Sequence, residues 1–181
     1  MNVARRSIGL LVASFCLCVS FAHAENRADL DRSARTVLNQ LVASNANAKK
    51  LSEKAVAILV FPVVTKAGFI VGGQYGDGVL FKEGRPTAYY NTAGGSYGLQ
   101  AGAQQFAYVL FFMKEAALNA LDSTQGFEIG VGPSVVLVDQ GVATSTTTIT
   151  AQDDIYAFIT EQKGAMAGIG IQGNKITKLG K

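Results

Sequence analysis

The chain has 181 residues, 16 Lys and Arg against 13 Asp and Glu, 20 glycines, three prolines, two cysteines, one histidine and no tryptophan. With 49% hydrophobic and only 16% charged residues, it is too apolar for a disordered chain and too weakly charged for a polycation built around nucleic acid. The length suits one domain with one core.

In chain order, the first segment combines basic Arg5 and Arg6, an apolar run from Ile8 to Phe21 and the small-residue triplet Ala22-His23-Ala24. This reads as a secretory signal peptide over residues 1–24: the run is shorter than the roughly 20 residues that span a bilayer, and it ends in an A-x-A site. The expectation is therefore an exported chain, periplasmic or secreted, with outer-membrane association as a further option. Lipid attachment at Cys16 or Cys18 is the weaker reading, because Phe15 and Leu17 precede them where lipoprotein processing wants a small residue. Cleavage after Ala24 would remove both cysteines, the histidine, Arg5 and Arg6, leaving 14 bases against 13 acids and lowering the net charge from +3 to +1. Disulfides, thiolate nucleophiles, imidazole bases and the usual zinc or copper sites then drop out. No cofactor or metal is expected, and any anion must be held by a local patch.

From Arg27 to about Ala46, Leu30, Ala34, Val37, Leu38 and Leu41 recur at helical spacing with charged and polar residues between them, which predicts an amphipathic helix. Asn45 and Asn47 interrupt it, and Lys49 to Lys54 forms a short helical turn. Beyond Lys54 the chain reads as short β-branched and aromatic runs punctuated by glycine: AVAILVF, GFIVGG, GVLF, TAYYNT and GSYGLQAG. Gln104 to Met113 predicts a further strand and Lys114 to Leu121 a short helix. Phe127 to Val138, Val142 to Thr150, Ile155 to Thr160 and Met166 to Ile171 complete the strands. The fold class is α+β, predominantly β: a closed or sandwiched antiparallel sheet of short strands, with an N-terminal amphipathic helix and one further short helix. The domain plan is residues 1–24 as signal peptide and 25–181 as one unit, with a helical lead-in over 27–54 and a β-rich body over 55–181.

Several patterns that suggest chemistry have plainer readings. Gly168, Gly170 and Gly173 satisfy G-x-G-x-x-G, but the chain is too short after them for the helix and acidic residue a dinucleotide site needs, so they read as a glycine-rich strand. Gly72, Gly73, Gly76 and Gly78 lack a Walker lysine and predict a tight hairpin. Adjacent Asp153 and Asp154 would point to opposite faces of an extended segment. The aromatics Tyr89, Tyr90, Tyr97, Phe106, Tyr108, Phe111 and Phe112 could line an acyl-chain cavity, but read first as core. Short strand candidates also weigh against a membrane-spanning barrel.

Three blocks carry a resemblance: AVAILVFPVVTKAGFIVGGQYGDGVLF (Ala55 to Phe81), TAGGSYGLQAGAQ (Thr92 to Gln104) with the VLFFM strand after it, and KGAMAGIGIQGNKI near the end. Together they resemble the SYLF domain family, in the manner of an exported bacterial member. The resemblance implies a non-catalytic, lipid-binding domain whose partner is a phospholipid membrane or phosphoinositide. Some fungal members associate with actin, but an exported chain meets none unless it reaches a host cell, so actin is not carried over as a primary partner. Lys66 in the KAGF stretch and Lys163 in the KGAMAG stretch are the family-matched candidates for holding an anionic headgroup. Arg32, Arg35, Lys49 and Lys50 would add surface attraction. Ala165 and Met166 stand where the family often has a bulky pair, and residues 139–143 lack its usual base, which bears on headgroup selectivity. The alternative function is a cell-envelope structural or protein-interaction module.

Overall fold

The structure is a computed structural model that describes residues 27–122, 127–128, 135–138 and 153–180, with backbone alone at 97–100, 127–128, 135–138 and 165–173. The expected signal peptide, the Val142 to Thr150 strand and the 139–143 segment lie outside the described residues. Helix α1 runs over 27–44, α2 over Ala46–Ser52 and α3 over Glu115–Leu121. The strands are β1 (Ala57–Lys82), β2 (Arg85–Phe112), β3 (Phe127–Glu128), β4 (Val135–Val138) and β5 (Ile155–Lys178). The class is α+β and predominantly β, as the sequence suggests.

The helical lead-in divides at Asn45, whose side chain accepts from the backbone N–H groups of Asn47 and Ala48 and so caps α2. On α1, Ala34, Val37 and Leu41 are buried, three or four residues apart.

In the sheet, the expected short strands are instead three long ones. AVAILVF, GFIVGG and GVLF are parts of β1, TAYYNT through Gln104 to Phe112 parts of β2, and Ile155 to Thr160 and Met166 to Ile171 parts of β5. Their glycines break hydrophobic periodicity without breaking the hydrogen-bonded ladder. The hairpin turn is Glu83-Gly84, with φ of 50° and 73°, the two positive values a two-residue loop needs. The hairpin expected at Gly72 to Gly78 is corrected accordingly: those residues stay paired with β2 from Ser96 to Tyr90. Strand length therefore gives no argument against a barrel. In the described residues the sheet is open, in the order β1-β2-β5-β3 with β4 parallel on β5.

The layering arises because the three long strands bend. Pro62 and Val63 are extra residues on β1 opposite Ala107, and Glu161 and Gln162 are extra on β5 beside Phe106. These bulges flank β2 at one level, and Glu161 has φ 56°; paired bulges of this kind turn a sheet corner. Farther out, β1 spends one residue, Ile70, between pairs that enclose three residues of β2. β1 is the inside track of a second, tighter bend. The returning half lands on the first half, where a Cβ on Gly76 would lie 2.6 Å from the Val63 carbonyl and one on Gly78 2.5 Å from the Phe61 ring. Only glycine permits that approach.

The ends of the bent sheet are buried on both faces. Leu59, Phe61, Leu110, Phe112 and Ala157 join Leu80, Tyr90 and Ile176 of the returning half and α3. Val60, Val109, Phe111 and Phe158 join Val79, Phe81, α1 and α2. Burial on both sides is why AVAILVF and FAYVLFF read as continuous apolar runs rather than alternating ones. Tyr90, Phe106, Tyr108, Phe111 and Phe112 are core, as expected.

The crossing predicts a contrast between glycines. Gly78→Ala should cost about 2 kcal/mol, because a ring and the Val60 carbonyl must both shift. Gly95→Ala, with nothing within 4 Å of its Cβ, should stay within about 0.5 kcal/mol. Urea midpoints at constant slope check this.

Candidate functional site

The six basic candidates fall into three places. Lys66 pairs with Gln104, and Lys163 with Gln105, on opposite sides of β2 just before the outer bend. Two strand spacings separate them, roughly 10 Å, and their neighbouring rows point to opposite faces. They frame the outer part of the sheet rather than pinching one group between them. Lys163 is exposed and Lys66 half-buried.

Arg32 and Arg35 sit on α1 in different circumstances. Arg32 is exposed and pairs with Asp29 at 2.7 Å. The Arg35 guanidinium donates to the Gly84 carbonyl at 3.0 Å and lies 5.3 Å over the Phe81 ring. Arg27 does the same one end along, over Tyr89 at 4.9 Å and donating to the Gly180 carbonyl at 3.0 Å. The two arginines tether α1 to the returning half of the sheet, with the Tyr89 hydroxyl donating to Asp31. Lys49 and Lys50 are exposed in the last turn of α2, where a cation also complements the helix dipole.

Two features escape the sequence reading. The first is a polar row inside the fold: Gln74, Thr92 and Ser96 are buried, and the Thr92 hydroxyl donates to Asn174 at 2.7 Å. Its signal was the polar alternation within glycine-rich runs. The second is the network at Asp122, which accepts from the Tyr90 hydroxyl at 2.6 Å and from Lys178 at 2.7 Å. Burial pushes the Asp122 carboxyl up, but the bonds from Lys178 and Tyr90 and the charges of Lys178 and Lys82 outweigh it, so the group titrates below its usual range. Burial, then the bond to Asp122 and its charge, pushes the Tyr90 phenol far up. Its proton stays in place as a donor. This network pins α3 and the chain end to β2, a structural task. Among the described residues, no group of three or more His, Cys, Asp or Glu side chains could hold a metal, and no helix is long and apolar enough to cross a membrane.

Large apolar side chains are exposed in one region above all. Val63, Phe69, Ile70, Val71 and Tyr75 all lie on β1 at and around the bends. The helices cover the ends of the bent sheet and leave these side chains outside. The family model described as Ysc84, Las17-binding protein actin regulator, matches residues 93–180. This match, to the SYLF family, covers 88 of the 181 residues. The match takes in most of β2, α3 and β5, and β1 is joined to it by pairing along the whole of β2. No curated protein matches the chain.

The network predicts a pH-dependent loss. Tyr90→Phe should cost about 1 kcal/mol near neutral pH. Because the folded Asp122 pKa lies below its unfolded value, the carboxylate's contribution is present above roughly pH 4 and is lost as pH falls through the folded value. Wild type and variant should therefore converge in acid, which denaturation at a series of pH values will read.

Proposed function

We propose that this domain binds anionic phospholipid or phosphoinositide headgroups at a membrane surface and does no chemistry there. The observation that carries the reading is the position of Lys66 and Lys163, one on each side of β2 at the base of an exposed apolar bend. Cations beside apolar surface suit a charged interface with hydrocarbon beneath it. Lys49, Lys50 and Arg32 add diffuse attraction. Arg35, already bonded to Gly84 and stacked on Phe81, contributes more to holding α1 than to a ligand. Export to the periplasm or beyond is part of the proposal and rests on residues 1–24; the membrane met would then be an envelope or host surface.

A second reading has its own support. The matching family is described by a protein partner and by actin regulation, and β1 is paired on one side only among the described residues, so a partner strand could add to it. On that reading the domain is an envelope protein-interaction module. Actin itself is not proposed for an exported chain.

Co-sedimentation of the purified protein with vesicles separates the two. Binding should require anionic lipid and weaken with salt. Lys66→Ala and Lys163→Ala should each lower affinity roughly fivefold, from about 1 kcal/mol per lysine near an anionic surface. Unchanged binding in both variants would remove these lysines from the site, and no binding to any mixture would leave the protein-interaction reading in front.

A further inference from the structure

The helices cover the ends of the bent sheet and leave its outer bend bare. Phe69, Ile70 and Val71 are 75, 44 and 65% exposed, three consecutive large apolar residues on a strand that is at the sheet edge among the described residues, where a charge ordinarily deters pairing. Gly68 approaches so closely to Gly72 that a Cβ on it would lie 2.3 Å from the Gly72 Cα. Ile70 holds φ at 63° between them, a left-handed conformation that is costly for a β-branched residue. The three side chains are thus presented at the apex of a tight, strained bend.

The composition around that apex is equally unusual. No charged residue occurs between Lys66 and Asp77, between Arg85 and Lys114, or between Lys163 and Lys175. These intervals lie side by side on β1, β2 and β5, so the bend is crossed by three neighbouring strands without a charge. Lys66 and Lys163 mark where the uncharged zone begins. Tyr75, 58% exposed on the returning part of β1, is of a residue type enriched at membrane–water interfaces.

We propose that the Phe69-Ile70-Val71 apex is a wedge that enters the headgroup–acyl boundary of an anionic bilayer, with Lys66 and Lys163 remaining among the phosphates. The proposal rests on the lipid-binding reading and deepens it by fixing which end of the domain meets the membrane. The backbone limits the depth. Among the described residues β1 has an unpaired edge, which hydrocarbon would leave unsatisfied, so the side chains reach the acyl boundary while the strand stays in the hydrated headgroup layer. A second copy of the chain fits the apex less well, because the bulged and bent edge offers no straight run of N–H and C=O groups for strand addition.

The absence of tryptophan makes the test direct. Phe69→Trp and, separately, Val71→Trp place a sole indole at the apex, and Leu179→Trp places one at the exposed chain end bonded to Tyr89. Each full-length variant is mixed with vesicles of phosphatidylcholine and phosphatidylglycerol carrying bromine at defined acyl positions, with co-sedimentation run in parallel. Expected are a blue shift and quenching at the apex, strongest for bromines nearest the glycerol, and neither for Leu179→Trp at equal binding. Phe69→Ser should weaken sedimentation roughly tenfold or more without lowering the unfolding midpoint. Sedimentation without an apex shift would overturn the wedge and leave headgroup binding standing. Failure to sediment with any vesicle would overturn both. A blue shift that grows with protein concentration in the absence of vesicles would assign the apex to a second copy.

Discussion

The close crossing of β1 over itself is the contact on which the rest of the architecture depends. Gly76 and Gly78 bring the returning half of the sheet onto Val60 to Val64 at backbone distance, far inside the roughly 10 Å at which sheets ordinarily stack. Any side chain there would hold the halves apart, and the residues that meet across them, Phe61 and Leu59 from one side and Leu80, Tyr90 and Ile176 from the other, would lose their common core. Among the described residues the sheet is open by its hydrogen bonds and compact by its folding. A single bent sheet therefore does the work of two without an extra set of loops.

That constraint also sorts the charges. Because both ends of the sheet are buried on both faces, cations near them are drawn into holding elements together: Arg27 and Arg35 clamp α1 across Tyr89 and Phe81, and Lys178 completes the Asp122 network. A basic helix face, read in isolation, looks like a membrane-binding face. Here two of the three α1 arginines, Arg27 and Arg35, are spent on stacking and backbone carbonyls, where the apolar stems of arginine also pack. The cations left at the outer part of the sheet are few, and their effect depends on their place beside apolar surface rather than on their number.

Much of this was legible in the residues. The helical spacing of Leu30 to Leu41, the strand character of the body, the core role of Phe111 and Phe112, and the strand reading of Gly168 to Gly173 all follow from periodicity and composition. What was not legible was continuity. Glycine in a strand usually marks an end or a bulge, so GFIVGG and GVLF looked like separate strands; a glycine needed for close approach to a distant segment has the same local appearance as one needed for a turn. Gly84 is a turn glycine and Gly78 a crossing glycine, and only the position of Phe61 tells them apart. Lys66 and Lys163 stand out by block matches alone, and their placement opposite the adjacent β2 residues Gln104 and Gln105 is a matter of register, which two bulges set and no local pattern announces. Phe69 to Val71 was seen as strand, correctly, but its exposure depends on a bend that lies in the third dimension.

That exposure separates what the fold needs from what it carries in addition. Reversing three strands requires small residues and tolerance of unusual φ; Gly68 supplies the close approach to Gly72, and Gly102 the unusual φ, at 136°. Nothing in the reversal requires a phenylalanine, an isoleucine and a valine at its apex, and a left-handed Ile70 costs on the order of 1–3 kcal/mol that asparagine or glycine would largely avoid. Exposed aromatic area on an edge that is unpaired among the described residues further invites aggregation. A bend selected for stability alone would have shed these side chains. In the proposed wedge these side chains are the contact surface, and the energetic cost of the apex is offset when it is covered.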